Sequence, residues 1–278
     1  FEKANDILGY RITDIMFNGT DEDLRQTKVT QPAVFLHSVI SALCMGDDFK
    51  PEMTAGHSLG EFSALVAAGA LTFEDGLKLV YARAMAMQKA CEATPSTMAA
   101  IIALSDEKVE EICASVNAEG EVCVAANFNC PGQIVITGEA AAVAEAGTAL
   151  KEAGARRVLP LKVSGPFHSP MMRPAGEELA KVFARVSMNP LKIPYVANIN
   201  AEVITDCGRI EGLLVDQISG SVRWQQSVET MIREWVDTFV EIGPGKTLTG
   251  FLRKIDKNVK AYHIGSWEEA VQVCEELK

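Results

Sequence analysis

The chain has 278 residues, of which 48% are hydrophobic and 23% are charged, a composition typical of globular proteins with enough apolar side chains for a large core. Its net charge of −11 argues against a general nucleic-acid-binding protein. The sequence has no run of about 18 apolar residues free of charges, which a membrane-spanning helix would require. The seven cysteines are scattered and never arranged as C-x-x-C, which argues against a disulfide framework and against a zinc site.

The opening residues, FEKANDILGY, have no basic region followed by an apolar stretch, so they do not match a signal peptide. We therefore expect a cytoplasmic protein with reduced cysteines. The chain starts on Phe1 and enters a helical pattern at once, which suggests that an earlier segment is missing.

Helical patterns dominate the sequence up to Glu92. These segments begin with residues that favour helix starts and end at glycines. Pro32 lies in the first turn of one predicted helix, and Gly69 ends another. The predicted elements here are a helix over 30–46, a brief strand within 50–56, a helix over 59–68 and an amphipathic helix over 72–93.

The next part of the chain has strand and helix patterns in the order β-α-β-β-α-β, which is the split βαβ arrangement of ferredoxin-like units. The predicted elements are strands over 97–105, 122–128, 132–138 and 155–163, and helices over 106–120 and 139–154. We interpret residues 95–163 as a small ferredoxin-like domain inserted into a larger domain made of residues 1–94 and 164–278.

The larger domain resumes with strand patterns that alternate with helical ones. The predicted elements are strands over 194–201, 237–243 and 261–265, and helices over 175–186, 227–236 and 246–255. Such alternation is typical of a mainly parallel sheet covered by helices, so the predicted fold class is α/β.

Ser58 is the first candidate for chemistry. The segment Gly56-His57-Ser58-Leu59-Gly60 fits G-x-S-x-G between a predicted strand and a predicted helix, the context of a nucleophile elbow. The following helix would aim backbone N–H groups at a developing oxyanion, and the N–H of Leu59 is the natural donor. The alternative is an ordinary N-cap serine with Glu61 completing a capping box. The motif alone leaves both interpretations open.

A serine nucleophile needs a base, and the chain has four histidines. His57 precedes the serine and would point away from its hydroxyl, His37 lies in an apolar helix pattern, and His263 lies in a strand pattern. His168 instead lies in a loop framed by one glycine and two prolines, where a rigid backbone can fix an imidazole. It is the favoured base.

Arg83 suggests the kind of substrate. Leu79 and Met87 lie one helical turn to either side of it, so its guanidinium borders the apolar face of the helix. Such an arginine usually extends to solvent or pairs with an internal carboxylate. It could instead hold a substrate carboxylate in two parallel hydrogen bonds.

Five segments now carry a resemblance: GHSLGEFSAL, YARAMAMQ, NFNCPGQIVITG, GPFHSPMM and EIGPGKTLTG. In this order and spacing they resemble the malonyl-CoA:acyl carrier protein transacylases of bacterial fatty-acid synthesis, and the likeness covers nearly the whole chain. It implies an α/β-hydrolase-like large domain with the ferredoxin-like insertion. It also implies a ping-pong reaction, in which Ser58 takes malonyl from coenzyme A and passes it to the phosphopantetheine thiol of acyl carrier protein.

The resemblance assigns further roles. His168 would be general base and then general acid, oriented by the backbone carbonyl of Gln217, and Arg83 would bind the malonyl carboxylate. The other implied residues are Asn127 and Asn129 in the acyl pocket, Phe167 favouring malonyl over branched acyl groups, and Gln133, Arg156 and Arg157 facing coenzyme A or the carrier protein. The asparagines could equally be turn residues, and the arginines a solvated face.

Two departures from the family pattern stand out. Ala84 follows the arginine where the family has glycine. No G-Q-G-x-Q loop, which supplies the second oxyanion donor in the family, occurs upstream of Ser58. We therefore expect the 278 residues to be a fragment of a longer natural chain, with reduced activity and stability.

Several alternatives remain at this point. A stand-alone acyltransferase of polyketide synthesis would use the same chemistry, a serine esterase or thioesterase would hydrolyse the acyl-enzyme quickly, and a non-catalytic carrier-binding module would acquire no malonyl on Ser58. The expected partners are malonyl-CoA and acyl carrier protein. We expect no cofactor, no metal, no nucleic acid and no membrane partner, and a monomer.

Overall fold

Helices and strands are interspersed along the whole chain in the computed structural model, which describes residues 1–118, 120–162 and 165–277. The helices are α1 (Glu2–Leu8), α2 (Ile12–Asn18), α3 (Asp21–Arg25), α4 (Thr27–Cys44), α5 (Gly60–Ala67), α6 (Phe73–Cys91), α7 (Asp106–Ala118), α8 (Ala140–Glu152), α9 (Arg173–Phe183), α10 (Ile210–Ser219), α11 (Trp224–Arg233), α12 (Thr247–Ile255) and α13 (Trp267–Glu276). The strands are β1 (Thr54–Ala55), β2 (Ser96–Ile102), β3 (Cys123–Cys130), β4 (Gln133–Glu139), β5 (Arg157–Pro160), β6 (Tyr195–Val196), β7 (Val203–Ile204), β8 (Thr238–Ile242) and β9 (Lys260–Ile264). The fold class is α/β, as predicted.

A four-stranded antiparallel sheet occupies the middle of the chain, with the strand order β3-β4-β2-β5. Alternate residues of β2 serve two cores: Ala99 and Ile101 pack with α7 and α8, whereas Met98 and Ala100 face the opposite side. Because both faces are buried, the sheet joins its own helices to the rest of the molecule. The predicted strand over 155–163 is shorter, Arg157–Pro160, and its end at Val163 lies outside the described residues.

The strands outside this sheet are short and form two further sheets. β1 pairs in parallel with β6, β6 pairs antiparallel with β7, and β8 pairs in parallel with β9. The expected mainly parallel sheet is thus replaced, among the described residues, by two small sheets of which one is mixed. The predicted strand over 194–201 is wrong in length, because only two of its residues pair.

The parallel pairing of β1 with β6 positions the site. Thr54 is opposite Tyr195 and Ala55 is opposite Val196, so the segments that follow the two strands leave the same edge. Residues 56–58 and 197–198 therefore lie side by side, although about 140 positions separate them in the sequence.

Helix α6 carries Arg83. Thr72 caps its first turn by accepting the N–H of Asp75, and the buried face includes Leu79, Arg83 and Met87. The predicted apolar stripe is confirmed, but it packs against both α4 and α9, so Arg83 lies inside the core and not at its border. No helix in the described part of the chain is both long and apolar enough to cross a bilayer.

Candidate active site

Ser58 stands on a sharp turn between β1 and α5. Its φ angle is 55°, in the left-handed region that a non-glycine residue adopts only under constraint. A Cβ atom on Gly56 would lie 2.0 Å from the backbone carbon of Gly60, so glycine is required where the two ends of the turn meet. A Cβ on Gly60 would meet nothing within 4 Å, so of the two glycines in the motif only Gly56 is required by the close contact.

The capping-box interpretation of Ser58 is wrong. Leu59, not Ser58, occupies the N-cap position of α5, and no side chain caps the helix there. The N–H of Ser58 donates to Asn198 Oδ1 at 2.7 Å, and the Glu61 carboxylate bonds Asn198 and Gln217 instead of reaching back to the serine. The serine side chain is thus free for another partner.

That partner is His168. Its Nε2 lies 2.8 Å from Ser58 Oγ, and its Nδ1 lies 2.8 Å from the backbone oxygen of Gln217. A carbonyl can only accept, so Nδ1 carries the proton and Nε2 presents a lone pair to the serine hydroxyl. The imidazole is 4% exposed, and its burial, together with the nearby Arg83 cation, lowers the pKa of His168 to about 3. The ring is therefore neutral at physiological pH.

The loop that holds His168 is rigid. His168 itself has a φ of 60°, and the buried Ser169 donates from Oγ to the carbonyl of Pro166 at 2.6 Å while accepting the N–H of Met171 at 3.3 Å. These bonds fix the turn on which the imidazole stands.

Arg83 reaches the same serine. The guanidinium is 1% exposed; Nη2 donates to Ser58 Oγ at 2.9 Å and to Gln217 Oε1 at 3.1 Å, and Nη1 donates to Gln31 Oε1 at 2.6 Å. Its Nε is buried and has no hydrogen-bond partner among the described residues. Burial lowers the pKa of Arg83 to about 10, so the group remains a cation at neutral pH.

Leu59 offers a free donor beside the nucleophile. Its N–H makes no hydrogen bond to any residue that the structure describes, whereas the backbone oxygen of Ser58 accepts both the N–H of Glu61 and Nε2 of Gln217. An open N–H at the start of α5 is suitably placed to receive negative charge that develops next to Ser58.

The other three histidines are engaged elsewhere, as their sequence contexts predicted. Their ring nitrogens bond Asn129 Oδ1 (His57, 2.9 Å), the carbonyl of Gly265 (His37, 3.2 Å) and the carbonyl of Gly243 (His263, 3.0 Å).

Asn127 and Asn129 lie in β3 and are buried, so the alternative that they are turn residues is wrong. The bond that His57 Nε2 donates to Asn129 Oδ1 ties β3 to the turn that carries Ser58. Phe167, next to His168, packs against the cores on both sides. Asn129 thus reaches the elbow from the side of the four-stranded sheet.

Gln133 and Arg157 lie in one row across the four-stranded sheet. The registers place Cys130, Gln133, Ile102 and Arg157 in one row across the four strands, so about 14 Å separates β3 from the edge strand β5. Arg156 and Arg157 are exposed, and neither forms an ion pair with a residue in the described ranges.

Comparisons with known proteins identify the family. Residues 2–273 match the family model described as acyl transferase domain. The malonyl CoA-acyl carrier protein transacylase of Bacillus subtilis is 39% identical over 279 residues, which cover 100% of this chain and 88% of the relative. This chain belongs to the malonyl-CoA:acyl carrier protein transacylase family.

Solved structures agree with that assignment. An acyl carrier protein S-malonyltransferase from Vibrio cholerae superposes with a TM-score of 0.94 at 41% identity, covering 98% of this chain and 90% of the other. A malonyl-transacylase in complex with its type II PKS acyl-carrier protein superposes with a TM-score of 0.96 at 37% identity, covering 99% and 90%. As a transacylase of this family, the chain is an acyltransferase.

Three residues that support this candidate site are not predicted by the sequence. Gln31 anchors Arg83, Asn198 holds the serine N–H, and Glu61 was considered only as a cap. A signal existed only for Asn198, which follows β6 as Ser58 follows β1, but using it requires knowing that the two strands are neighbours.

Proposed function

We propose that this transacylase moves a malonyl group from coenzyme A to the phosphopantetheine thiol of acyl carrier protein through an ester on Ser58. The observation that carries the proposal is that Ser58 Oγ lies 2.8 Å from a neutral buried imidazole and 2.9 Å from a buried guanidinium. A nucleophile with a base on one side and a cation on the other suits an acyl group that ends in a carboxylate. No step requires a metal or a cofactor.

Acylation begins at the serine. As Oγ attacks the thioester carbonyl, its proton passes to Nε2 of His168, and the Gln217 carbonyl stabilises the imidazolium through Nδ1–H. The N–H of Leu59 stabilises the tetrahedral oxyanion. The C–S bond then breaks, and His168 returns the proton to the departing coenzyme A thiolate.

Transfer to the carrier reverses these steps. The phosphopantetheine thiol gives its proton to Nε2 of His168 and attacks the malonyl ester. The C–Oγ bond breaks, and Ser58 recovers its proton from the imidazolium.

Arg83 binds the malonyl carboxylate. Gln31 and Gln217 fix two of its nitrogens, and the unpartnered Nε offers a further N–H to an incoming carboxylate. Asn127, Asn129 and Phe167 line the acyl pocket and limit its size.

Intact-mass measurement tests the proposal. Mixed with malonyl-CoA, the protein should gain the mass of one malonyl group, and adding holo carrier protein should remove it. An adduct that is lost to water as fast as to the carrier would instead indicate the esterase or thioesterase, and the absence of any adduct would indicate a binding module. Fatty-acid and polyketide carrier proteins, compared side by side, distinguish the two transferase pathways.

Acylation should tolerate mild acid. A base fails only when the pH approaches its pKa, and burial lowers the pKa of His168 from 6.5 to about 3. We expect the second-order rate of Ser58 acylation to change by less than about twofold between pH 8 and pH 5.5 in single-turnover measurements.

A rate that falls with a midpoint near 6.5 would contradict the depressed pKa. Melting temperatures at each pH are the control. The unfolded chain protonates this histidine below 6.5 while the folded chain does not, so this group lowers stability as the pH falls through that window.

We also propose that Gln133, Arg156 and Arg157 form the carrier-facing edge of the site, joined by Lys151 and Lys162 as a basic patch. Carrier proteins of this family are acidic, and the net charge of −11 makes such a local patch necessary for docking. Reversing Arg156 and Arg157 to Glu should weaken transfer to the carrier about tenfold or more at low salt and less at high salt.

Acylation by malonyl-CoA should change much less in that variant. Lys181 and Arg185, exposed at the end of α9, provide a control in which Lys181→Glu and Arg185→Glu change the net charge equally. Carrier kinetics that respond alike in both variants would refute a local patch.

The domain layout is part of the proposal. The order β2-α7-β3-β4-α8-β5 and the sheet order β3-β4-β2-β5 support a ferredoxin-like subdomain over 95–163, inserted into an α/β-hydrolase-like catalytic domain of residues 1–94 and 164–278.

The seven cysteines are free thiols, which supports a cytoplasmic location. We propose a monomer, to be checked by sedimentation.

A further inference from the structure

The side chain of Gln217 contacts three parts of the site. It is fully buried, and its Nε2 donates to the backbone oxygen of Ser58 at 2.7 Å and to the carboxylate of Glu61. Its Oε1 accepts Nη2 of Arg83 at 3.1 Å. An amide presents donors at one end and an acceptor at the other, so these contacts depend on which way it is turned.

Glu61 and the carbonyl of Ser58 together determine that orientation. The Glu61 carboxylate is 1% exposed; Oε1 accepts the backbone N–H of Asn198 at 3.1 Å, and Oε2 accepts Nε2 of Gln217. No ion pair joins it to a cation within the described ranges. Burial raises the pKa of Glu61 to about 8, yet both of its oxygens face N–H donors, which favours the carboxylate form. The carboxylate and the carbonyl of Ser58 therefore both hold the NH₂ group of Gln217.

We propose that Glu61 is a positioning residue that sets the Gln217 amide, and through it the Arg83 guanidinium, so that it determines the preference for acyl groups with a free carboxylate. The inference rests on the proposed function. Its basis is the chain of bonds from Glu61 through Gln217 to Arg83, which leaves the carbonyl that orients His168 untouched.

The isosteric change Glu61→Gln exposes this role. A glutamine places a donor where one oxygen was, and that donor must face either Asn198 or Gln217. The backbone N–H of Asn198 cannot turn, but the side-chain amide of Gln217 can rotate. A rotated amide would present NH₂ to Nη2 of Arg83 and its oxygen to the carbonyl of Ser58, whereas an unrotated amide would face the new donor. Either outcome displaces Gln217 and weakens the bond that orients Arg83.

The test compares malonyl-CoA with acetyl-CoA as acyl donors in single-turnover acylation. Because a hydrogen bond to a charged group is worth a factor of about 10 to 100, Glu61→Gln should lower the malonyl-to-acetyl ratio of kcat/KM by about that factor. Tyr195→Phe is the matched control. Burial raises the pKa of Tyr195 and the negative charge of Glu61 adds to the rise, while the Tyr195 hydroxyl has no hydrogen-bond partner among the described residues.

A second variant covers the case in which Glu61→Gln does not fold. Gln217→Met removes the side-chain amide but keeps the backbone carbonyl for His168, so it should lower the same ratio in the same direction. A wild-type ratio in a folded Glu61→Gln or Gln217→Met protein would overturn the positioning role. If the unchanged protein forms no malonyl ester at all, the proposed function itself fails, and the two failures are thereby distinguished.

Discussion

Replacing Ser58 with alanine should abolish the malonyl adduct and lower malonyl transfer by about 10⁵-fold or more, because no other group can take over the covalent step. The backbone contacts that hold the turn do not depend on the hydroxyl: the N–H of residue 58 still bonds Asn198, and its carbonyl still accepts Gln217. Nη2 of Arg83 keeps its bond to Gln217 when Oγ is removed. We therefore expect a folded protein with an intact carboxylate site.

Intact mass after incubation with malonyl-CoA measures the loss, and the melting temperature verifies the fold. Malonyl-CoA should still bind to Ser58→Ala, which equilibrium dialysis can show. An adduct of unchanged yield in the folded variant would remove Ser58 as the nucleophile, and with it the proposed mechanism.

Replacing Arg83 with alanine should change which acyl groups the enzyme accepts. Losing the two charge-assisted hydrogen bonds from the guanidinium should reduce malonyl transfer by about 10²- to 10³-fold, since the malonyl carboxylate would then enter a buried pocket without a cation. Acetyl transfer should be retained or increased, because an acetyl group has no carboxylate to satisfy. The predicted result is a reversed preference in kcat/KM.

The ratio of the two substrates is the proper measure, because Arg83→Ala also leaves Gln31 and Gln217 without a donor and should lower the melting temperature. Arg83→Lys is the informative companion. Lysine keeps a positive charge but cannot donate two parallel hydrogen bonds to a carboxylate. The malonyl preference of Arg83→Lys should therefore fall between those of the unchanged protein and Arg83→Ala. Equal losses for malonyl and acetyl in Arg83→Ala would refute the carboxylate-binding role.

The residues that do the proposed chemistry could be found from the sequence because each has a local signature. Ser58 has its glycine-flanked motif between a strand and a helix, His168 has a rigid loop, and Arg83 interrupts an apolar stripe. The middle sheet could also be predicted, because β2, β3 and β4 are seven or eight residues long and therefore leave a recognisable strand pattern.

The residues that support the site, Gln31, Glu61 and Asn198, could not be predicted, since their roles depend on contacts between distant segments. Asn198 reaches Ser58 across 140 positions, through a pairing of two strands that are only two residues long. Strands this short leave almost no periodic pattern, which is why β6 was predicted too long and β7 was not predicted. Glu61 shows a related failure: its spacing from Ser58 matches a cap, and only the three-dimensional neighbours reveal a different partner.

The long separation between the nucleophile and its supports has a consequence for synthesis of the chain. The ribosome releases Ser58 and Arg83 well before the segment that contains Asn198 and Gln217. Contacts between such distant segments form late in folding, because the intervening loop must close first. Until residue 217 has emerged and docked, His168 has no carbonyl to orient it and the strained backbone of Ser58 has no amide to hold it. We therefore expect a growing chain to remain inactive until the segment that carries Asn198 and Gln217 has docked.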